Sequence, residues 1–417
     1  MTAPRITFWR VFAVAAAVCG LWATFLRFSG GLAAVTNLSD RYPWGMWIGF
    51  DILCGVGLAA GGFTVTAIVY IFNLKKFQPI ARPAVLTAFL GYSLVVVALL
   101  YDLGRPWNIW RPLVFWNPHS VMFEVGWCVT LYTTVLALEF SPLIWERLGW
   151  QRPQRIIHAF QIPLVLAGVL LSTLHQSSLG SLFLIAPEHL HPLWWTPRLP
   201  FVFYTSAIGV GFAMVIFESR LSSRVFKREL EMDILAPLGK AIVVAQFVYL
   251  VLRLEDLVAR GVLREYAFQR NLEAGLFWTE ILVGSLLPAL LLMSSRVRNS
   301  RRWLPFAATL VVLGFILHRL DVSVTAVQAR LTDVRYFPSF FEVAISVFIC
   351  VIGFVAFGLA VKYLNIFPKS HDEQKPAAAP SYWPSAVPEA GSGSYSSTAR
   401  SYTADANLSP APFEALG

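Results

Sequence analysis

The sequence predicts an all-α, polytopic membrane protein of about ten transmembrane helices, and three observations carry that prediction. Hydrophobic residues make up 57% of the 417 and charged ones 14%, with a mean hydropathy of +0.61, more apolar surface than a water-soluble core can enclose. Apolar stretches of about 20 residues, the length that crosses a hydrocarbon core of roughly 30 Å, recur along the chain. The formal charge of +9 is scattered in short runs between those stretches. That distribution fits membrane topology and not the contiguous basic patch that nucleic acid requires.

The first expected span, 9–28, follows Arg5 and Arg10 in the manner of a signal peptide. It lacks a small-residue cleavage site with a soluble domain behind it, so it reads as a retained helix. The second, 44–72, carries Gly55, Gly57, Gly61 and Gly62, a stripe that suits either tight helix packing or a flat ligand laid against the backbone. The third, 83–101, opens at Pro83 and ends at Tyr101 and Asp102. The loop behind it holds Trp107, Trp110, Trp116 and His119, suited either to an interfacial aromatic belt or to a lip around an amphiphilic headgroup.

The fourth span, 121–140, and the fifth, 157–183, hold Glu124 and His175 inside apolar runs without charged sequence neighbours. The sixth, 200–221, places Glu218 near its inner end, as the fourth places Glu139. Each of these glutamates is read either as an ion pair with nearby Arg220 or Arg147, or as part of a proton path. The seventh, 235–258, carries Arg253 with Glu255 and Asp256, read as a structural ion pair at a helix end. The eighth, 272–293, contains Glu280, the ninth, 303–324, His318, and the tenth, 340–363, completes the set. The membrane domain thus runs over 1–367. Residues 368–417, rich in Ala, Pro, Ser and Gly without periodicity, are expected to form a disordered tail.

Alternate connections face opposite sides, and one side collects 21 of the 33 lysines and arginines, including all seven lysines. That side is expected to be cytoplasmic, with both termini, in a bacterial inner membrane. Ionisable groups inside spans are costly, so each is a functional candidate. At about 1.5 Å per residue from the outer end, Asp51 lies about 10 Å deep, Glu124 about 5 Å, His175 and Glu280 about 12 Å, and His318 about 9 Å. All fall in the outer half, with Tyr92 near the middle.

Carboxylates, histidine and tyrosines in that half suit a quinone, whose carbonyls need hydrogen-bond partners and whose reduction takes up protons. The four cysteines, Cys19, Cys54, Cys128 and Cys350, stand singly, so neither an iron–sulfur cluster nor a disulfide is expected. Only His175 and His318 lie well inside spans, enough for one haem at most. A structural anchor and a haem cytochrome stand as alternatives to a quinone-reactive subunit.

Several motifs together resemble the NrfD/PsrC family of quinone-interacting membrane subunits. They are Arg41-Tyr42-Pro43-Trp44-Gly45-Met46-Trp47-Ile48, the glycine-striped run Leu53 to Phe63, Leu103-Gly104-Arg105-Pro106-Trp107, and Pro118-His119-Ser120-Val121-Met122-Phe123-Glu124. Within the family the chain is most similar to the membrane subunits of hydrogenase-2-type nickel–iron hydrogenases. The resemblance implies a haem-free subunit that exchanges electrons between menaquinone or ubiquinone and a periplasmic ferredoxin-like iron–sulfur subunit, itself fed by the small and large hydrogenase subunits. It also implies two four-helix bundles, spans two to five and six to nine, with spans one and ten flanking; no internal repeat is legible in the sequence. The implied proton-handling residues are Tyr92 (or Tyr101), Glu124, His175 and Glu218. The implied quinone pocket comprises Asp51, Tyr92, Tyr101, Glu124 and His175, with no metal site.

Overall fold

A computed structural model describes residues 8–42, 44–331 and 334–367; the expected tail, 368–417, lies outside them. Among the described residues, ten helices are long and apolar enough to cross a bilayer, in agreement with the sequence expectation. They are α1 (Phe8–Gly30), α2 (Trp47–Ile71), α3 (Lys75–Asp102), α4 (Val121–Leu148), α5 (Gln161–Leu182), α6 (Leu199–Val225), α7 (Met232–Ala259), α8 (Leu272–Met293), α9 (Trp303–Gln328) and α10 (Phe340–Tyr363).

Several helices outrun their apolar stretches, because backbone hydrogen bonding continues into the headgroup region until a stop signal intervenes. Helix α4 reaches Leu148 and ends at Gly149, whose φ of 71° lets the Trp150 amide donate back to the Trp145 carbonyl. Helix α3 begins before Pro83, which sits in the second turn of its α-helical part, Gln78–Asp102, and removes one backbone donor there. Helix α5 starts later than expected, because a separate amphipathic helix, Gln151–Ala159, precedes it and breaks at Phe160.

Helices α2 to α5 pack in sequence, and α5 returns to α2; α6 to α9 form a second closed circuit, with α9 returning to α6. The circuits meet along α2, α5, α6 and α9. In its most apolar stretch α2 is 78% buried, against 17% for α1 and 22% for α10, so the last two flank the assembly. Helix α10 lies against α1 and α3. It starts in a capping box, with Ser339 and Glu342 exchanging hydrogen bonds with each other's backbone amides.

Of the two readings of the α2 glycine stripe, the structure shows packing. A Cβ at Gly57 would lie 2.0 Å from the Phe315 ring of α9, and one at Gly62 would lie 2.4 Å from Ala88 of α3. Three helices contain widened, π-type turns: Trp47–Cys54 in α2, Thr279–Leu286 in α8 and Asp321–Thr325 in α9. Such turns recur at functional sites because they displace side chains from the regular helical register. Here they carry Asp51, Glu280 and Asp321.

Candidate functional site

Helices α4 and α5 face each other through polar side chains at helical spacing. On α4, Glu124, Cys128, Tyr132 and Glu139 recur every four or seven residues, one face of a helix. On α5 the matching face presents Ser178, His175, Ser172 and Gly168. Ser178 Oγ lies 2.5 Å from Glu124 Oε1 and donates to it. One turn deeper, the fully buried His175 ring packs 5.6 Å from Tyr92 of α3. Tyr92 in turn meets Tyr132 edge to face at 4.6 Å, and its hydroxyl faces Ser172 and Gln176. At the far end, Gly168 leaves room beside the Glu139 carboxylate. From Glu124 to Glu139 the helix rises about 22 Å, most of the hydrocarbon core.

Glu124 is exposed, whereas Tyr92, Tyr132, Ser172, His175 and Gln176 are buried almost completely. Among the described residues, both His175 nitrogens, Gln176 Oε1 and Glu139 Oε1 have no hydrogen-bond partner, and the hydroxyls of Tyr92, Tyr132 and Ser172 face one another without a well-formed hydrogen bond. Each such buried group costs about 1–3 kcal/mol, so a row of them in a membrane interior points to a role other than stability. The middle of the membrane, where the sequence places Tyr92, holds further polar side chains. Tyr132, Ser172 and Gln176 fill it; they escaped notice because they carry no charge, although their spacing from Glu124 and His175 was a readable signal.

Glu218 of α6 accepts a hydrogen bond from Thr87 Oγ1 of α3 at 2.8 Å. It lines a cleft of about 50 Å³ with Arg228, Glu229 and Glu231. Among the described residues, neither Glu218 nor Glu139 forms the arginine ion pair that was one of its two readings.

Asp51 and Tyr101 go elsewhere. Asp51 Oδ2 accepts from Ser346 Oγ of α10 at 2.6 Å. The Tyr101 hydroxyl lies 3.0 Å from Thr24 Oγ1 of α1, and Arg27 caps the backbone carbonyls of Tyr101 and Leu103 at 2.7 Å each. Their contacts seat the flanking helices rather than joining Glu124 and His175. Depth along a span gives height in the membrane, but not direction around the helix.

A second polar cluster occupies the other circuit. Glu280 of α8 accepts from the Tyr249 hydroxyl of α7 at 2.6 Å and from Trp194 Nε1 at 2.9 Å. His318 Nδ1 of α9 lies 3.1 Å away and Arg253 Nε 3.8 Å. Arg253 therefore faces Glu280, not the neighbours Glu255 and Asp256 with which the sequence paired it. Those pair instead with Arg198 and Arg260. Arg319, one residue after His318 and fully buried, was missed; its guanidinium stacks 3.6 Å over Phe203 and donates to the Phe203 carbonyl and Ser206 at 3.0 Å each.

The order tyrosine, glutamate, histidine on three successive helices thus occurs twice: Tyr92, Glu124, His175 and Tyr249, Glu280, His318. Tyr249 and His318 rings lie 5.8 Å apart, close to the 5.6 Å of Tyr92 and His175. The two sets differ in freedom, since Glu280 is surrounded by four partners and Glu124 has Ser178.

A family model described as "Polysulphide reductase, NrfD" matches residues 34–331. The chain is 43% identical to a protein of Nitratidesulfovibrio vulgaris, over 80% of this chain and 87% of that one. It is 35% identical to the probable Ni/Fe-hydrogenase 2 b-type cytochrome subunit of Escherichia coli K12 (HybB), over 83% and 89%. It is 29% identical to the integral membrane subunit of a menaquinone reductase of N. vulgaris, over 88% and 93%. With ten helices among the described residues long and apolar enough to cross a membrane, and a family match over most of its length, the chain belongs to the NrfD/PsrC family of integral membrane subunits.

Proposed function

We propose that the chain is the quinone-reactive membrane subunit of a respiratory nickel–iron hydrogenase complex, with menaquinone or ubiquinone bound as an exchangeable substrate in the outer half of the membrane. The observation that carries this reading is Glu124: an exposed carboxylate, bonded to Ser178, at the head of a buried file of unpaired polar side chains. A quinone ring arriving through lipid needs hydrogen-bond partners for its carbonyls, and its reduction to quinol takes up two electrons and two protons. Glu124 would hand protons to the ring, with His175 and Tyr92 relaying behind it. Glu218, at a cleft on the basic side, would admit protons from the cytoplasm through Thr87. Exposed Trp116, packed against Phe123 at 5.6 Å, would form the rim past which the ring enters.

Electrons would come from partners on the outer face: a ferredoxin-like iron–sulfur subunit supplied by the small and large hydrogenase subunits. The similarity to HybB supports that assignment. The words "b-type cytochrome" in that relative's name imply a haem, but the donors here do not suit one. His175 and His318 each sit in their own cluster against their own tyrosine, so they offer no facing pair for one iron. The menaquinone reductase relative favours a second reading, an NrfD-type quinone subunit of another oxidoreductase. The subunits that co-purify with the chain distinguish the two.

In the assembled complex, Glu124→Gln should lower quinone-linked hydrogen oxidation by about 100-fold or more, the usual contribution of a positioned acid. Hydrogen oxidation with a water-soluble artificial acceptor should persist. Quinone-linked turnover within twofold of the unaltered complex, for this variant and for Glu124→Gln with His175→Ala, would leave a purely structural anchor as the better account.

A further inference from the structure

At the membrane end where the lysines collect, α6 and α9 part around a cavity of about 280 Å³ lined by Arg220, Leu221 and Arg224 on one side and Arg302, Phe306 and Thr309 on the other. Arg220 and Arg224 stand one helical turn apart, and Arg302 immediately precedes the first turn of α9. None of the three guanidinium groups is engaged in a hydrogen bond or ion pair among the described residues, and no carboxylate lines the cavity. Glu218, two residues before Arg220, is turned away to Thr87 of α3. Like charges one turn apart repel, and the positive end of the α9 dipole adds to their field. By charge alone, the cavity therefore suits an anion.

Its flanks say which kind of anion. Leu221 and Phe306 are 36% and 48% exposed, and Trp303 beside Arg302 is 54% exposed, so apolar surface runs from the arginines toward the hydrocarbon. A soluble anion would satisfy the charge and leave that surface uncovered. An amphiphile with a phosphate head covers both.

We propose that this cavity binds an acidic phospholipid of the basic-side leaflet, its phosphate held by Arg220, Arg224 and Arg302 and its acyl chains lying along Leu221 and Phe306. Basic pockets between transmembrane helices on that side are suited to such headgroups. Arginine suits the task because its planar fork grips phosphate with two parallel bonds.

The test uses the full chain, delipidated in neutral detergent and reconstituted into phosphatidylcholine nanodiscs with graded cardiolipin, bound lipid being counted by native mass spectrometry. One acidic phospholipid per chain is expected. Arg220→Gln with Arg224→Gln and Arg302→Gln should weaken its binding by about 100-fold, each basic residue near the surface counting for about fivefold. The corresponding triple lysine variant should retain most of the binding. A control on the same membrane face, Arg147→Gln with Arg152→Gln and Arg155→Gln, should bind as the unaltered chain does. Should the triple glutamine variant fail to fold in phosphatidylcholine alone, Arg224→Gln by itself should show the fivefold loss. Unchanged binding by the glutamine variants, an equal loss in the control, or displacement of the lipid by inorganic phosphate at equal concentration would each overturn the proposal.

Discussion

Tyr92 and Tyr249 occupy matching places in their helix circuits, yet removing their hydroxyls should move stability in opposite directions. The Tyr92 hydroxyl is buried and, among the described residues, faces Ser172 and Gln176 without a well-formed hydrogen bond. Burying an unpaired hydroxyl costs about 1–3 kcal/mol in proteins. Tyr92→Phe deletes that cost while keeping the ring contacts to Tyr132 and His175, so the variant should be as stable as the parent or more stable by about 1–2 kcal/mol. Tyr249→Phe removes a 2.6 Å hydrogen bond to the Glu280 carboxylate, and a bond to a charged acceptor contributes about 1.5–3 kcal/mol. The gap between the two variants should therefore be at least about 1.5 kcal/mol. It is measured as unfolding midpoints in one detergent, alongside quinone-linked turnover of the assembled complex. If the Tyr92 hydroxyl belongs to the proton route, Tyr92→Phe should slow that turnover at least about tenfold despite its stability. Equal destabilisation by both substitutions, with turnover unchanged in Tyr92→Phe, would show that the Tyr92 hydroxyl is a structural bond and would refute the reasoning.

The loop before α6 should make stability depend on pH. His191 is buried against Trp194 and Tyr266; that burial pushes its pKa below the ordinary 6.5, Glu273 opposes the shift and Arg330 adds to it. The unfolded imidazole takes a proton near its ordinary pKa while the folded one resists, so the unfolded state binds more protons and stability falls as pH drops below about 6.5. The thermal midpoint should decline between about pH 7 and pH 5, and His191→Gln should flatten that slope; an identical slope would exclude His191 as its source. In the core, Gly57→Ala places a methyl group 2.0 Å from the Phe315 ring and should cost about 1–3 kcal/mol by overpacking. Phe315→Leu in the same chain should recover most of that loss, which a double-mutant cycle measures.

How much of this was legible in the sequence depended on which physical constraint spoke. Lipid demands length and apolarity, so ten spans could be counted and most of their ends set within a few residues. The ends that moved did so at a local signal, such as the αL turn at Gly149 or the junction at Phe160. Depth was legible too, and it correctly put Glu124 and His175 at neighbouring levels. Direction around the helix was not. Asp51 shares their depth but faces Ser346 of α10 from a widened turn, where the ordinary 3.6-residue register fails. Arg253 is next but one to Glu255, yet successive residues turn by about 100°, so it points inward to Glu280 while Glu255 meets Arg198. Neutral polar residues such as Tyr132 and Gln176 vanish into hydropathy averages, and only their spacing from Glu124 and His175 betrays them.

The two tyrosine–glutamate–histidine sets show why matching residues need not have matching roles. Glu280 is 2% exposed and surrounded by Tyr249, Trp194, His318 and Arg253. Neutralising it would strand a buried Arg253, and breaking such a pair typically costs about 3–5 kcal/mol. A carboxylate so placed is a fixed charge, because every proton it accepted would have to displace partners. Glu124 is exposed and held by the hydroxyl of Ser178, which can donate or accept. Its change of protonation state rearranges one bond and leaves no neighbouring charge unpaired. Under the proposed function, the carboxylate with fewer contacts is the one that would exchange protons with a ligand from the lipid phase, while its counterpart ties α7, α8 and α9 together through Tyr249, Arg253 and His318.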